Sequence, residues 1–224
     1  MSKLHSSYNQ LMKEVAEFKK ALEHSGIYPK VRAKYKGFQI LYSPLQSQPD
    51  FMFVGINPGA GFFNSTGELA NRLVPEENME YVNSNYALAR ETKKLFELMG
   101  LTNGDLSRAV KTNFYFLATE NERDLNQIIN LLDPMDFEKK SKDWNNRLIQ
   151  MIQPKIIICE GKSAYTKVLQ HDNLIANWDG DVAYTNWNGI HVVGYKRRFS
   201  NIRGKESLSE VIKGKLNNFY KQIL

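Results

Sequence analysis

Two asparagines, Asn57 and Asn113, are the residues whose type and position best suit chemistry in this chain of 224 residues. Asn57 lies in a glycine-rich turn, residues 55–61, directly after the short apolar run 51–54. Pro58 restricts its own φ and biases Asn57 away from the helical region, so the turn holds the amide in a narrow range of orientations. An amide donates and accepts hydrogen bonds, so this side chain can orient a ligand or a water. The turn alone is equally consistent with an ordinary strand-to-loop connection.

Asn113 lies inside or at the end of a second strand-like run, residues 109–117. An asparagine in such a run is either a buried amide satisfied by the protein or a ligand contact. Glu160 and Tyr195 also fall near the ends of strand-like runs, and the carboxyl ends of parallel strands meet at one edge of a sheet. This convergence favours a site shared by the two asparagines. Nothing in the sequence brings Glu160 together with the aspartates of residues 179–181, so we interpret these carboxylates as surface or structural groups.

Standard nucleotide, metal and hydrolase motifs are missing. The glycines at 55, 59 and 61 do not form G-x-G-x-x-G, and Gly161-Lys-Ser163 lacks the first glycine of a phosphate-binding loop because Ile156 occupies its place. None of the histidines pairs with Cys159 at the spacing of metal ligands, and there is no Gly-x-Ser-x-Gly elbow. We therefore expect neither a metal nor an organic cofactor. The four histidines are His5, His24, His171 and His191.

A cationic segment follows the last predicted strand. Its basic residues are Lys196, Arg197, Arg198, Arg203 and Lys205, with Phe199 between them and Ser200 and Asn201 as further hydrogen-bonding groups. Such a cluster beside a pocket suits contact with a nucleic-acid backbone, and that binding is expected to be sensitive to salt. The alternative is a solvated loop that enters a helix. The net charge of +6 and the pI near 9.2 permit attraction to polyanions without requiring it.

Helical and strand-like segments alternate along the chain. Helices are predicted over residues 7–24, 88–99, 137–153 and 205–223 and after Ser163; strands are predicted over 51–54, 109–117 and 155–159. Asn188-Gly189 predicts a hairpin between residues 182–187 and 190–195. Residues 38–42 are predicted as a strand or an irregular arm. The alternation predicts an α/β protein with a largely parallel sheet, whose ligand crevice lies beyond the carboxyl ends of the strands.

Length and composition indicate one domain over residues 1–224, in which an N-terminal helix and arm (1–50) precede an α/β core (51–224). Cys159 is the only cysteine, so no intramolecular disulfide can form. The first residues do not begin a long apolar segment, and no run approaches the roughly 20 apolar residues that span a bilayer. We expect a cytoplasmic monomer that does not contact membranes.

Four stretches and their order resemble the uracil-DNA glycosylase superfamily, most closely its mismatch-specific and single-strand-selective branches. They are Gly55-Ile-Asn-Pro-Gly59, Thr112-Asn113, Gly161-Lys-Ser-Ala-Tyr165 and Ala70-Asn-Arg-Leu73, the last shared with the mismatch-specific branch. Together they cover roughly residues 52–220, whereas the first 50 residues have no counterpart. The first motif is fairly specific in this context, and the others are weak alone.

The resemblance implies a three-layer α/β/α sandwich and a DNA-repair hydrolase that flips a base and excises uracil or a related damaged base from DNA. Asn57 would position the water that attacks the sugar carbon, and Asn113 would read the Watson–Crick edge of the flipped base. The remaining base-binding residues would be Gly55, Ile56, Gly59 and a stacking ring from Phe62 or Phe63. Both phenylalanines are alternatively rings that pack under the loop.

The chain departs from the family pattern after its last strand. The family carries His-Pro-Ser or Asn-Pro-Ser there, which binds the leaving oxygen and a phosphate, whereas this chain has Gly194-Tyr-Lys-Arg-Arg198. Tyr195 lies nearest the expected position and is the candidate second catalytic residue, through its hydroxyl. Three functions therefore remain open: a glycosylase, a nucleic-acid-binding module of the same fold without catalysis, and an enzyme acting on free nucleobases or nucleosides.

Overall fold

The structure is a computed structural model that describes the backbone of residues 3–169 and 178–221 and the side chains of these residues through Asn217. Residue His171 and the predicted end of the last helix, residues 222–223, lie outside the described residues. The described helices are α1 (Lys3–Glu23), α2 (Tyr28–Val31), α3 (Gly61–Thr66), α4 (Glu80–Asn83), α5 (Ala87–Leu98), α6 (Asn103–Ser107), α7 (Glu122–Leu131), α8 (Phe137–Ile152), α9 (Lys162–Leu169) and α10 (Lys205–Lys221), with a short 3-10 turn at Asp133–Met135.

The described strands form one large sheet and two small ones. The strands are β1 (Gly37–Gln39), β2 (Phe51–Gly55), β3 (Ala70–Arg72), β4 (Val110–Asn113), β5 (Ile156–Cys159), β6 (Trp178–Asp179), β7 (Val182–Trp187), β8 (Ile190–Tyr195), β9 (Arg197–Arg198) and β10 (Asn201–Ile202). The large sheet has the order β4-β2-β5-β8-β7-β6. Its first four strands are parallel, and β7 and β6 are antiparallel to their neighbours. The prediction of an α/β protein with a largely parallel sheet is therefore confirmed.

The large sheet is covered by helices on both faces because its strand residues alternate between two hydrophobic clusters. Met52, Val54, Ile157 and Val192 belong to a first cluster, which includes apolar residues of α1, α8 and α9. Phe53, Ile158 and Val193 belong to a second cluster, with residues of α5 and α10. A strand that is buried on both faces reads as a continuous apolar run, which is the pattern of β2 and β5.

The N-terminal segment is packed against the rest of the chain. Helix α1 buries Tyr8, Leu11, Val15, Phe18 and Leu22 in the first cluster. Its Glu14 accepts hydrogen bonds from the Arg147 guanidinium of α8, at 2.6 Å and 3.2 Å. The side-chain hydrogen bond from Arg147 holds the pKa of Glu14 below its ordinary value. The amphipathic helix predicted over residues 7–24 thus extends from Lys3 to Glu23.

Residues 37–42 form part strand and part irregular arm. Strand β1 pairs in parallel with β3, which brings Phe38 beside Asn71. This approach requires Gly37, because its φ is +99° and a side chain there would overlap the backbone of Ala70. Beyond β1, Leu41 forms a bridge to Thr112 at the outer edge of β4. The arm therefore covers the edge strand of the large sheet, which protects that edge from pairing with other chains.

The second predicted strand and the predicted hairpin follow their sequence patterns to different extents. The strand predicted over residues 109–117 is shorter in the structure, where β4 ends at Asn113. The hairpin predicted at Asn188-Gly189 is confirmed as the turn between β7 and β8, and both residues have positive φ, as a type I′ turn requires. Among the described residues, no helix combines the length and the apolar character needed to cross a bilayer.

Candidate functional site

A cavity of about 700 Å³ opens at the carboxyl ends of β2, β4 and β5. Asn57, Asn113, Phe62 and Glu160 are among the residues that line it. The parallel register explains their convergence, because Gly55 of β2 pairs with Asn113 of β4 and Val54 pairs with Cys159, the residue before Glu160. This is the position in a parallel sheet at which ligands are expected to bind.

The Asn57 amide is held in one orientation by the turn. Its Nδ2 donates to the carbonyl oxygen of Pro58 at 2.8 Å and to the Thr119 hydroxyl at 2.9 Å. Thr119 is fully buried and in turn donates to the carbonyl oxygen of Asn121 at 2.8 Å. These bonds use both amide protons of Asn57 and leave its Oδ1 as an acceptor. The side chain is thus arranged to accept a hydrogen bond from a water or a ligand.

Asn113 has the properties of a ligand contact. Its side chain is 5% exposed and lines the cavity. Its backbone carbonyl accepts a hydrogen bond from Asn145 at 3.3 Å, but the side-chain amide has no hydrogen-bond partner within the part of the chain that the structure describes. The amide of Asn113 can therefore both donate to and accept from a group that enters the cavity. Gly55 makes room for this amide, since a methyl group there would overlap the Asn113 side-chain oxygen.

The two candidate stacking rings occupy different surroundings. Phe62 lines the cavity, and the Arg72 guanidinium lies 5.4 Å from the centre of its ring. Phe63 is not part of the cavity wall, and the Lys36 ammonium lies 4.0 Å from its ring centre. Gly55, Ile56 and Gly59, the other residues that the resemblance assigns to base binding, also line the cavity. Of the two phenylalanines, only Phe62 is placed to contact a ligand in the cavity.

Glu160 is a cavity residue that the sequence analysis set aside as surface or structural. Its side chain is 4% exposed, and the Tyr81 hydroxyl donates a hydrogen bond to Oε1. The signal that identifies it is its position, one residue beyond the buried strand β5. The same edge of the sheet carries both asparagines, so the convergence argument applied to Glu160 as well.

A buried cation adjoins this carboxylate. Lys111 is 6% exposed, forms an ion pair with Glu80 and donates to the Tyr86 hydroxyl at 3.3 Å. Burial opposes its charge, but the nearby carboxylates of Glu80 and Glu160 raise the pKa of Lys111 above its ordinary value. Its ammonium also lies 4.1 Å from the ring centre of Tyr81. The charged form of Lys111 is therefore maintained beside the cavity, whose wall it joins.

The N-terminal arm supplies part of the cavity wall. Gln39 is 3% exposed and lies in β1, and Tyr42 follows at the end of the arm; both side chains line the cavity. Their contribution depends on the pairing of β1 with β3 and on the bridge between Leu41 and Thr112. The sequence carried no local signal for these long-range contacts.

Tyr195 does not line the cavity. It is 1% exposed and packs in the second cluster, on the same face of the sheet as Val193. Burial raises the pKa of Tyr195 well above its ordinary value, and the charge of Glu160 raises it further. Its hydroxyl therefore stays protonated. The side chain packs in the apolar interior and does not line the cavity, although the charges of the lining residues Glu160 and Arg197 act on it.

The cationic segment forms a short hairpin at the rim. We call residues 197–202 the basic hairpin: β9 and β10 are antiparallel, with Phe199 and Ser200 between them. Arg197 extends along Gly161, with its Nε 3.6 Å from where a Cβ on Gly161 would lie, and it lines the cavity. Phe199 is 88% exposed at the tip with a φ of +55°, a conformation that is rare for a bulky residue.

The predicted nucleic-acid contacts divide into paired and unpaired groups. Lys196 donates to the carbonyl oxygen of Gly180 at 2.6 Å. Two further cations form ion pairs: Arg203 Nε lies 3.4 Å from Asp181 Oδ2, and Lys205 pairs with Glu91. By contrast, Arg197 and Arg198 form no ion pair with any residue in the described ranges, and Asn201 is exposed beside them. Only the two arginines thus present uncommitted cations at this rim within the described chain.

A search of the described residues finds no group of three or more histidine, cysteine or carboxylate side chains arranged to hold a metal ion. Cys159 is buried under the cavity, and burial raises the pKa of its thiol. Comparison of the chain with models of known protein families and with curated proteins found no match. The geometry of the cavity is therefore the basis for assigning a function.

Proposed function

We propose that the cavity receives a base turned out of DNA and that Asn57 directs the hydrolysis of its N-glycosidic bond, with uracil or a related damaged base as the substrate. The observation that carries the proposal is that Asn57, in the turn after β2, and Asn113, at the end of the neighbouring parallel strand β4, line one cavity. A flipped base requires an amide that both donates and accepts, an aromatic surface and a pocket that excludes water. Asn113, Phe62 and the buried floor meet these requirements.

The reaction would use Asn57 as a positioning group. Its free Oδ1 would accept a hydrogen bond from a water whose oxygen attacks the C1′ carbon of the sugar. The bond between C1′ and the base nitrogen breaks, and its electron pair leaves with the base. The water loses a proton as its oxygen bonds to C1′, and this proton neutralises the negative charge of the departing base. Since an amide is no strong base, most of the rate must come from orientation of the water and stabilisation of the leaving base. The Arg197 guanidinium lines the same cavity and forms no ion pair with any of the described residues.

The rim of the cavity supports DNA as the ligand that carries the base. The two exposed arginines of the basic hairpin would contact backbone phosphates, and Ser200 and Asn201 would add neutral donors. Phe199, exposed at the tip, offers an apolar ring that can stack on a base or enter a base step. A largely parallel sheet with helices on both faces is also compatible with the three-layer α/β/α fold of the uracil-DNA glycosylase superfamily.

A non-catalytic base-binding module is the second candidate, favoured by the position of Tyr195. The residue nearest the missing His-Pro-Ser or Asn-Pro-Ser motif is buried in the second cluster and does not reach the cavity. A module of this kind would hold a base between Phe62 and Asn113 without breaking the glycosidic bond.

Base release from oligonucleotides tests the proposal. Purified protein is incubated with single-stranded, paired and mismatched oligonucleotides that contain uracil or other deaminated, oxidised or alkylated bases, and the free base is measured by mass spectrometry. We expect at least one of these bases to be released, and we expect Asn57→Ala to slow release by about a hundredfold or more, because the water loses its orientation. Asn64→Ala is the matched control, since Asn64 is exposed on α3 and does not line the cavity.

The outcomes separate the candidate functions. Base release that survives in Asn57→Ala would contradict the assigned role of Asn57. Binding to DNA without any released base would support the non-catalytic module. Competition by free nucleobases together with indifference to DNA would instead indicate an enzyme acting on small molecules.

A further inference from the structure

Glu160 places a carboxylate beside the Asn113 amide in the wall of the cavity. The Tyr81 hydroxyl holds one carboxylate oxygen, Oε1. The other oxygen, Oε2, lies 3.3 Å from where a Cβ on Gly55 would be, and the Asn113 side-chain oxygen approaches the same point. Glu160 is 4% exposed and lines the cavity, and no side chain of the described residues donates to Oε2, so this oxygen can accept a hydrogen bond from a group that enters the cavity.

A base can bind at this wall only if its donors and acceptors match the Glu160 carboxylate and the Asn113 amide. An ionised carboxylate only accepts hydrogen bonds, whereas an amide both donates and accepts. The Watson–Crick edge of uracil has two carbonyl acceptors on either side of one N–H donor. The edges of cytosine and adenine instead place an amino donor beside a ring nitrogen that accepts. A carbonyl oxygen opposite Glu160 would meet the lone pairs of the carboxylate, and an amino group would donate to them.

Among the damaged bases that the proposed function allows, we infer that the cavity selects one that carries an exocyclic amino group, such as a modified cytosine or adenine, in preference to uracil. Glu160 accepts from the amino group, and the Asn113 amide donates to the neighbouring ring nitrogen. Acceptance from the cytosine amino group is an established pairing for a glutamate side chain. The inference rests on the proposed function, because it requires that a base enters the cavity.

Lys111 places a cation in the same buried network as Glu160. Its ammonium is paired with Glu80 and packed against the rings of Tyr81 and Tyr42. A charge buried without a partner would be costly, and a cation in the same network offsets that cost. No ion pair joins Lys111 directly to Glu160 among the described residues, so the carboxylate keeps its second oxygen for a ligand. Glu160 therefore acts as a specificity-determining residue.

Binding to matched oligonucleotides tests this inference. The probes are single-stranded runs of thymidine in which one central nucleotide is varied, and affinities are measured by competition in fluorescence anisotropy. Two pairs are compared, cytosine with uracil and adenine with hypoxanthine, because the first member of each has an amino group where the second has a carbonyl. We expect the wild-type protein to bind the amino member of each pair about fivefold or more tightly, the lower range for one specific base contact.

The Glu160→Gln variant is expected to reduce or reverse that preference. The Tyr81 hydroxyl can donate to the oxygen of the new amide, which turns its NH₂ group toward the cavity and offers a donor to a carbonyl. Glu97→Gln is the matched control because Glu97 is exposed on α5 and does not line the cavity. The wild-type comparison needs no variant, so it decides the question even if Glu160→Gln fails to fold.

Failure of the inference differs from failure of the proposed function. Equal affinity within both pairs, or tighter binding of uracil and hypoxanthine, would overturn the preference while leaving a base-binding cavity in place. A preference that persists unchanged in a folded Glu160→Gln variant would overturn the role of Glu160. Absence of binding to every oligonucleotide at low salt would contradict the proposed function itself, and the inference with it.

Discussion

Thr119 controls the orientation of Asn57 at the site. The Thr119 hydroxyl accepts a hydrogen bond from the Asn57 amide and donates to the Asn121 carbonyl, so it links the turn after β2 to the start of α7. Asn57 can orient a water only if its Oδ1 faces the cavity, and the bonds from Nδ2 decide which end of the amide does so. Thr119 is thus a positioning residue that acts through Asn57.

The Thr119→Val variant should separate positioning from binding. Valine has nearly the same shape but cannot accept the Asn57 hydrogen bond, whose loss is worth about 1 kcal/mol. We expect about a fivefold slower base release in single-turnover experiments, with little change in DNA affinity. Thr119→Ser should retain the wild-type rate. Thr92→Val, which removes a buried hydroxyl of α5 that does not line the cavity, should leave the rate unchanged. A wild-type rate in Thr119→Val would contradict this role.

The periodicity of the strands explains which residues of the cavity could be identified from the sequence. Asn57 and Asn113 were identified from the sequence, because a polar residue at the end of a buried strand is a conspicuous local signal. Tyr195 was chosen because it lies nearest the position of the missing motif in the sequence. Side chains alternate between the two faces of the sheet along β8, however, so Tyr195 lies in the same cluster as Val193. Glu160 lies just past the end of β5, where neighbouring strands fix its position, so its burial became evident only with the sheet assembled.

The basic hairpin is the element that places two exposed arginines at the rim of the cavity. Its two strands contain only two residues each, and its arginines form no ion pair with the acidic residues that hold Lys196, Arg203 and Lys205. Arg197 spans the rim, since it both follows the last strand of the large sheet and lines the cavity. A strand of nucleic acid bound along the hairpin would therefore pass the cavity mouth.

The salt dependence of DNA binding tests this arrangement. If Arg197 and Arg198 each contact one phosphate, the double variant Arg197→Gln, Arg198→Gln should make the slope of log K against log salt concentration shallower by about 1.4 to 1.8. The control is Lys139→Gln, Lys140→Gln, which removes the same charge from exposed positions of α8. An unchanged slope in the arginine variant, or an equal change in the lysine variant, would show that DNA does not follow the hairpin.

Elements with strong local patterns were predictable, whereas those set by distant contacts were not. Strands β2 and β5, helix α1 and the turn between β7 and β8 agree with the sequence because apolar periodicity and turn chemistry specify them locally. Strand β1 depends on a parallel partner, β3, that lies more than 30 residues further along the chain. The sequence therefore left residues 38–42 open between a strand and an irregular arm.

At the scale of the whole molecule, the site combines residues from distant parts of the chain. The large sheet supplies the strand ends that carry both asparagines and Glu160, the N-terminal arm supplies Gln39 and Tyr42, and the basic hairpin supplies Arg197. The first 50 residues lack a counterpart in the superfamily that the core resembles, yet in the structure they complete the cavity wall. The alternation of strand-like and helical segments predicted the α/β class, but only the packed chain shows that the arm lines the cavity.

A crystal structure of the Asn57→Ala variant with the most tightly bound oligonucleotide tests the central claim most directly, because the variant should retain the base without releasing it. We expect one base to lie outside the stack and inside the cavity, against Phe62, with its Watson–Crick edge within hydrogen-bond distance of the Asn113 amide. The phosphates on either side should lie along the basic hairpin. DNA bound at another surface, or a cavity that remains empty of any base, would contradict the account.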